Sequence, residues 1–169
     1  MSQPNGKAPK AKATKPAKAS PPDNAPTLVN RQARYDYHFL DTYTAGVQLM
    51  GSEVKSLREG AAQLTDAYCA FQGTDLVLLN AQIQPYAHGA YANHEPRRAR
   101  RLLLQRRELA RLREALKESG TTLVPVKLFF NARGLVKLEI ALAKGKKEFD
   151  KRDTIKAREA ARELSRGES

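Results

Sequence analysis

Residues 95 to 114 read Glu-Pro-Arg-Arg-Ala-Arg-Arg-Leu-Leu-Leu-Gln-Arg-Arg-Glu-Leu-Ala-Arg-Leu-Arg-Glu, with eight arginines and one acid, Glu108, between Arg97 and Arg113. Guanidinium groups this close repel one another and cannot all be buried, so they need either solvent or an anionic partner. Arginine binds phosphate through two hydrogen bonds and stacks on bases, whereas lysine acts as a point charge. The stretch therefore favours a nucleic-acid-binding surface over a merely solvated helix face.

The apolar residues of this stretch predict a helix that is anchored on one side. Leu109, Leu112 and Leu116 recur at helical spacing and can face a core. The arginines between them then face outward: Arg106, Arg107, Arg111 and Arg113. We predict a helix over residues 105 to 119, with Glu108 at the capping-box position of its first turn.

The composition indicates a single basic domain with tails. The chain has 169 residues, a formal net charge of +12 and a pI of about 10.0, which favours a polyanionic partner. No apolar run approaches the ~18 residues of a membrane span, and no signal-peptide core follows Met1. The single cysteine, Cys69, excludes an internal disulfide and a zinc site built from cysteine pairs, and we interpret it as a buried structural thiol. We expect a cytoplasmic protein without a metal or cofactor.

The first 26 residues differ in composition from the rest of the chain. No large apolar residue occurs between Met1 and Leu28, and five lysines lie between Lys7 and Lys18. Such a segment cannot bury enough surface to offset its ordering entropy. We therefore expect residues 1–26 to form a disordered basic arm that is dispensable for the fold.

Alternating apolar and polar residues predict six short strands. They cover residues 35–39, 45–50, 66–71, 76–80, 121–130 and 135–143. Two hairpin turns, at residues 73–75 and 131–134, each contain a glycine, and a short helical turn is expected near residues 54–59. The pattern predicts a mainly β domain over residues 27–143, a small antiparallel barrel of the oligonucleotide-binding type with flanking helices.

Several blocks of the sequence occur together in one known family. They are Asn-Arg-Gln-Ala-Arg at 30–34, Gly-Ser-Glu-Val-Lys-Ser-Leu-Arg at 51–58, Pro-Arg-Arg-Ala-Arg-Arg-Leu-Leu-Leu at 96–104, Leu-Val-Pro at 123–125, Ala-Lys-Gly-Lys-Lys at 143–147 and Asp-Lys-Arg at 150–152. In this order, over residues 30 to 158, the sequence resembles the SsrA-binding protein family, also called small protein B.

The resemblance implies a function without catalysis. Members bind the tRNA-like domain of transfer-messenger RNA and, with elongation factor Tu, help deliver it to ribosomes stalled without a stop codon. Their fold is an oligonucleotide-binding type of barrel. Their C-terminal tail, here residues 144–169, folds in the empty mRNA channel of the small subunit, where it meets rRNA. We expect a monomer that acts through these RNA partners.

The residues that match the family blocks allow roles to be predicted. The phosphate ligands are Arg31, Arg34, Lys55, Arg58, Arg97, Arg98, Arg100 and Arg101. Tyr37 either stacks on a base or packs in the core. Glu53 either accepts a hydrogen bond from a base or orients a neighbouring arginine by ion pairing. Leu102 to Leu104 either meet bases or, the interpretation we favour, pack beneath the helix.

The tail is predicted to bind the ribosome. The residues assigned to this contact are Lys146, Lys147, Phe149, Asp150, Lys151 and Arg152. Phe149 stands where many relatives have a histidine that stacks on rRNA. We predict a tail helix with Asp153 as its N-cap and expect it to be largely unfolded in the free protein. One departure lies in the barrel, where Thr44 replaces the glutamate that many members use for RNA binding.

Other function classes receive less support from the sequence. His38, His88 and His94 show no metal-ligand spacing, no Gly-rich phosphate loop or nucleophile motif occurs, and we interpret His94 as a surface loop residue. The rival class is another RNA binder, either of rRNA or of single strands. A single-strand binder needs several exposed aromatics for stacking, and this chain has no tryptophan. The sequence therefore favours folded RNA recognised by shape and charge.

Overall fold

The computed structural model describes residues 25–89 and 93–167, and for Glu148, Phe149, Arg166 and Gly167 it describes the backbone alone. The predicted basic arm, residues 1–26, lies outside the described residues except for its last two.

Antiparallel strands in the described part of the chain close into a barrel. The strands are β1 (Leu28–Val29), β2 (Tyr37–Val47), β3 (Ala62–Gln63), β4 (Tyr68–Gln72), β5 (Asp75–Leu79), β6 (Gln82–Ile83), β7 (Arg100–Leu103), β8 (Thr121–Phe130) and β9 (Val136–Gly145). Around the barrel the order is β8, β4, β5, β7, β2, β9, and β9 pairs back with β8. Strand β1 is added to β8, and β3 pairs with β6 in a separate small sheet. The predicted mainly β barrel is confirmed.

Helices flank this barrel. They are α1 (Arg31–Asp36), α2 (Gly51–Arg58), α3 (Arg106–Ala115) and α4 (Glu148–Gly167). The barrel interior is filled by alternate residues of the strands, such as Leu138 and Ile140 of β9. Leu57 of α2 and Leu112 of α3 are buried in the same core, which fixes both helices against the barrel.

Two β-bulges allow the sheet to bury side chains on both of its faces. The register shifts between Phe39 and Asp41 in β2 and between Pro125 and Lys127 in β8. Because a bulge reverses the alternation of side chains, it moves the following residues to the other face. A second cluster thereby forms beneath α1, separate from the barrel core. It consists of Ala33, Val124, Val126, Ala141 and Ala143, with Tyr37 and Phe39 packed against it.

Asn30 joins α1 to the bulge in β8. Its side-chain oxygen accepts a hydrogen bond from Ala33 N at 3.2 Å and so caps the helix. Its side-chain amide donates to the carbonyls of Pro125 at 3.0 Å and Leu64 at 3.1 Å. Asn30 is buried, so these bonds are shielded from water and set where α1 begins.

The first part of the barrel differs from the prediction. The strands expected at residues 35–39 and 45–50 are parts of one long strand, β2, and residues 31–36 form a helix. The cap at Asn30 starts this helix, and the bulge at Leu40 disguises the continuity of β2 because it interrupts the alternating pattern. The turn expected near residues 54–59 is confirmed as the longer helix α2, and both hairpins are confirmed. Their glycines, Gly73 and Gly134, have the positive φ angles that their turns require.

The tail also differs from the prediction. Strand β9 continues past residue 143, because Lys144 and Gly145 pair with His38 and Tyr37. Helix α4 begins at Glu148, so the assignment of Asp153 as the N-cap is wrong. That the tail is largely unfolded in the free protein stays a prediction. No helix in the described ranges is long and apolar enough to span a membrane.

We predict that Asn30→Ala lowers the free energy of unfolding by about 2–3 kcal/mol, because it removes the helix cap and the two buried hydrogen bonds that the side-chain amide donates to the Pro125 and Leu64 carbonyls. Urea denaturation measures this loss. Asn30→Asp retains the cap but cannot donate to either carbonyl, so it should be no more stable than Asn30→Ala. The exposed Gln72 is the control, and its change to alanine should have an effect within about 0.5 kcal/mol. A stable Asn30→Asp variant would contradict the proposed link to the bulge.

Candidate nucleic-acid interface

Most of the predicted phosphate ligands lie on the surface. Arg31 and Arg34 are exposed on α1, Lys55 and Arg58 are exposed on α2, and Arg97 is exposed in the loop before β7. Helix α1 packs on β8 and contacts α4, whereas α2 packs on β6. The predicted cations therefore lie on two helices with different neighbours and in the loop before β7.

Arg100 is the exception, and its assignment as a phosphate ligand needs correction. Its side chain is fully buried. Its guanidinium donates to the carbonyls of Ala81 at 2.7 Å, Arg98 at 3.0 Å and Pro96 at 3.0 Å, and to the carboxylate of Glu53 at 2.9 Å. Because Arg100 alternates with Leu102 on the inward face of β7, it points into the barrel, and it acts there as a structural residue.

Glu53 is the buried centre of this arrangement. Its Oε1 accepts from Arg100 Nε at 2.9 Å and from Arg98 Nε at 3.2 Å. Its Oε2 accepts from Arg98 Nη2 at 2.6 Å and from the backbone N of Met50 at 2.7 Å. The carboxylate is fully buried and its oxygens are occupied. Of the two roles considered for Glu53, the structure therefore favours orienting the arginines over contacting a base.

The charge of Glu53 is stabilised by these partners. Burial alone would raise the pKa of its carboxyl group. The hydrogen bonds from Arg98 and the Met50 backbone, together with the charges of Arg100 and Arg98, outweigh burial and hold the pKa below its ordinary value. Burial lowers the pKa of the Arg100 guanidinium, and the adjacent carboxylate opposes that change. The pair is therefore ionised.

Two further arginines of this stretch are bound to protein groups but still reach the surface. The side chain of Arg98 is 32% exposed while it holds Glu53. Arg101 is exposed on the outer face of β7 and forms an ion pair with Asp75 at 2.9 Å. Each presents a guanidinium to solvent at a fixed position, so each is compatible with a phosphate contact.

The predicted tail residues lie next to α1. Lys146 Nζ donates to the carbonyl of Arg34 at 3.1 Å, and Lys151 Nζ lies 3.2 Å from a carboxylate oxygen of Asp36. Asp150 lies 3.5 Å from His38 Nε2. Lys147 and Arg152 are exposed. The side chain of Phe149, the predicted stacking residue, lies outside the described part of the chain.

Three of the residues with alternative roles, Tyr37, Leu102 and Leu104, have packing positions. Tyr37 is half-buried against the small cluster beneath α1, which favours its interpretation as a packing residue. Leu102 is buried and Leu104 packs against the core, as predicted, but Leu103 is 52% exposed on the outer face of the barrel.

Thr44 is exposed on a neighbouring strand, and Glu139 lies directly opposite it on β9. A carboxylate therefore remains beside the position where the family glutamate is missing.

Two residues that support the interface, His94 and Tyr86, were not predicted from the sequence pattern. His94 is buried, not a surface residue as predicted, and it bridges Ser52 Oγ at 2.9 Å and the Ile83 carbonyl at 3.0 Å. Tyr86 lies beneath Lys55, whose Nζ is 5.4 Å from the ring centroid. The described residues contain no group of three His, Cys, Asp or Glu side chains that could hold a metal ion.

We predict that Glu53→Gln lowers the free energy of unfolding by about 3–5 kcal/mol at pH 7, because it leaves the buried charge of Arg100 without its partner. The folded-state pKa of Glu53 lies below its unfolded value, so its stabilising contribution is present above about pH 4.3 and is lost as the pH falls through the folded-state pKa. Urea denaturation between pH 3 and 7 should show the difference between wild type and variant narrowing toward acid. Glu59→Gln, at an exposed position after α2, is the control and should keep the wild-type profile. A constant difference across this range would contradict the ionised pair.

Comparisons with known proteins show related sequences and a related fold. The family model described as SmpB protein matches residues 27–168. A solved structure described as "tmRNA-SmpB: a journey to the center of the bacterial ribosome" has a chain that superposes with a TM-score of 0.63 at 50% identity. The superposition covers 73% of this chain and 87% of that chain.

Relatives that carry the name SsrA-binding protein match most of the chain, and two of them serve as examples. The protein from Christiangramia forsetii is 49% identical over 143 residues, which cover 85% of this chain and 91% of the relative. The protein from Phocaeicola vulgatus is 51% identical over 139 residues, which cover 82% of this chain and 93% of the relative. With a family model that matches residues 27–168, these similarities show that the chain belongs to the SmpB, or SsrA-binding protein, family.

Proposed function

We propose that this protein binds the tRNA-like domain of transfer-messenger RNA and helps deliver it to stalled ribosomes, where incomplete proteins are tagged and the ribosome is released. The observation that carries this function is the family match over residues 27–168 at about half identity to proteins named for SsrA binding. The similar solved structure concerns tmRNA, SmpB and the bacterial ribosome. The protein acts by binding and positioning RNA, without catalysis, metal or cofactor.

The surface chemistry supports this role. Exposed guanidinium and ammonium groups on α1, α2 and the loop before β7 can neutralise phosphates, and the barrel holds their backbones in place. The phosphate ligands we propose are Arg31, Arg34, Lys55, Arg58, Arg97, Arg98 and Arg101. The buried pair of Arg100 and Glu53 holds the backbone that carries these ligands in place. An RNA fold with a fixed arrangement of phosphates suits such a rigid surface better than a flexible strand does.

The tail is proposed to recognise ribosomes whose mRNA channel is empty. Beyond its first turns the side chains of α4 are exposed, and Arg158 and Arg162 lie one turn apart on the same helix face. Among the described side chains, partly exposed ion pairs join the start of α4 to the barrel side, from Lys151 to Asp36 of α1 and from Asp150 to His38 of β2, and such pairs contribute little stability. An empty, anionic mRNA channel can therefore compete for Lys151, Arg152 and the rest of the helix. Phe149 would stack there in place of the histidine of many relatives.

The remaining partners follow from the same role. Elongation factor Tu is reached through the shared RNA, the protein acts as a monomer, and its site of action is the cytoplasm, where ribosomes translate. The rival function, a general binder of single-stranded RNA, is less well supported by the described aromatics. Tyr37 and Phe39 pack beneath α1, and Phe71 packs against the barrel core.

We predict that a folded tRNA-like RNA binds much more tightly than unstructured RNA of the same length. The reason is that a rigid arrangement of cations is complementary to only one arrangement of phosphates. Competition against a labelled tRNA-like domain, at one fixed salt concentration, measures the ratio. Equal competition by the two RNAs would contradict the proposed function and support a single-strand binder.

We predict that truncation after Lys147 leaves affinity for the tRNA-like domain nearly unchanged but abolishes tagging on stalled ribosomes. The truncation removes all of α4 while leaving the barrel and its cations in place. Both quantities are measured on the same truncated protein. Persistent tagging would show that the tail has no role on the ribosome, and a collapse of RNA binding would place the tail in the RNA site.

A further inference from the structure

A groove, here called the α1 groove, runs between helix α1 and the segment that joins β3 to β4. Its narrow part has a volume of about 250 Å³ and lies between residues 28–32 and residues 62–65. Its wide part, of about 510 Å³, lies between α1 and residues 65–68 and is also lined by Thr122 and Val124 of β8. Asn30, Gln32 and Thr65 line both parts, so the two parts adjoin.

Both walls of the α1 groove are held in place by the fold. On one side, the side-chain amide of Asn30 ties α1 to the Leu64 carbonyl at 3.1 Å. On the other side, Leu64 and Ala67 are buried, and Ala67 N donates to the Leu64 carbonyl at 3.0 Å. Asn80 Nδ2 donates to the Asp66 carbonyl at 3.1 Å. The groove is therefore pre-formed, and a ligand does not have to open it.

The wide part of the groove is acidic, although the protein as a whole carries a net charge of +12. Two carboxylates line it, those of Asp36 and Asp66, and no lysine or arginine is among its described lining residues. Arg31 lines the narrow part alone. Carboxylates repel phosphate and attract ammonium groups, so this part of the groove fits a cationic ligand and not RNA.

Asp66 is the carboxylate that is open to a partner. Its side chain is exposed and forms no ion pair with another described residue. Asp36, by contrast, accepts from Gln32 Nε2 at 2.8 Å and lies 3.2 Å from Lys151 Nζ. Tyr68 lines the same part of the groove and is 47% exposed, so an ammonium group at Asp66 can also contact an aromatic ring.

The described chain begins beside the narrow part of the groove. Ala25 and Pro26 are half-buried, and a Cβ placed on Gly60 would lie 3.7 Å from Pro26 Cβ. Leu28 and Val29 follow directly and line the narrow part. The basic arm, with its five lysines between Lys7 and Lys18, is therefore attached to the barrel next to the groove.

The arm is long enough for its lysines to reach Asp66. The chain from Gly60 to Asp66 spans at most about 22 Å, and the chain from Lys18 to Ala25 reaches up to about 25 Å. Lys15 lies further from the attachment point and has more reach. Because these lysines are tethered beside the groove, their effective concentration there is on the order of mM, which allows even a weak contact to form.

We propose that the basic arm folds back along the α1 groove and places the ammonium group of Lys15 or Lys18 against Asp66. The occupant follows from the attachment point, the length of the arm and the opposite charges of the arm and the wide part. The arm is held at a few points and forms no core, so it stays dispensable for the fold. While bound, it keeps basic segments of other proteins out of the groove. This inference goes beyond the proposed function and does not rest on it.

The test uses the full-length, isotope-labelled protein with a nitroxide attached at Ala17→Cys and measures the paramagnetic broadening of backbone amide signals at low salt. Cys69 is buried, and burial raises the pKa of its thiol, so the label attaches at position 17. We expect the strongest broadening, among the described residues that lie beyond the attachment point, at residues 65–68 and at Gln32. Added salt should reduce it, because the contact is exposed.

Matched variants show whether charge holds the arm in the groove. Asp66→Asn should reduce the broadening at residues 65–68 about two- to fivefold, the effect of one partly exposed ion pair. Lys15→Gln with Lys18→Gln should reduce it to the same extent, and Asp66→Asn added to that pair should reduce it no further. The control is Glu114→Gln, which removes the same charge as Asp66→Asn at an exposed position of α3 and should leave the broadening unchanged.

The outcomes separate the arm from other occupants. Broadening that is even over the surface, or that Asp66→Asn and Glu114→Gln change equally, overturns the proposal. Broadening of a labelled copy by a nitroxide on an unlabelled copy overturns it as well, because the groove would then hold the arm of a second molecule. The experiment contains no RNA, so its failure leaves the proposed function intact. Equal binding of folded and unstructured RNA, in turn, contradicts the proposed function and leaves the groove proposal intact.

Discussion

The buried carboxylate of Glu53 is the contact on which the interface side of the barrel depends. It receives Arg100 and Arg98 from β7 and the loop before it, and it holds the backbone of Met50 at the start of α2. Arg100 extends the same network to the carbonyls of Ala81 and Pro96. One ion pair therefore connects a helix, a barrel strand and two loops. A buried pair of this kind adds little to the free energy of unfolding compared with apolar packing. Removal of either partner alone, however, lowers the free energy of unfolding substantially.

This contact explains how so dense a run of arginines is accommodated. Arg100 is buried and neutralised, Arg98, Arg101 and Arg113 are bound to protein groups, and others, including Arg106 and Arg107, remain exposed. The bound arginines fix the backbone from which the exposed ones project. Affinity for a folded RNA requires such fixed positions, since each flexible side chain ordered on binding costs about 0.5–1.5 kcal/mol. The basic composition attracts RNA, and the buried pair of Glu53 and Arg100 fixes the positions of the exposed arginines.

The sequence predicted the parts of this structure that depend on local pattern. The hairpins, the apolar side of α3 and the capping position of Glu108 all follow from spacing and turn residues. It did not predict the parts that depend on distant contacts. Arg100 and Arg101 are adjacent in sequence and chemically alike, yet strand alternation buries one and exposes the other. Likewise, the helix at residues 31–36 and the burial of His94 depend on partners far along the chain, at Pro125 and Ile83.

A double-mutant cycle between Glu53 and Arg100 measures how strongly the two buried residues stabilise each other. Each is changed to glutamine alone and together, and the free energy of unfolding is determined for all four proteins at pH 7. We expect the double variant to be more stable than the sum of the single losses implies, by about 2–3 kcal/mol, because the second change removes a charge that the first left unpaired. Losses that add within about 0.5 kcal/mol would contradict it, because the two residues would then act independently.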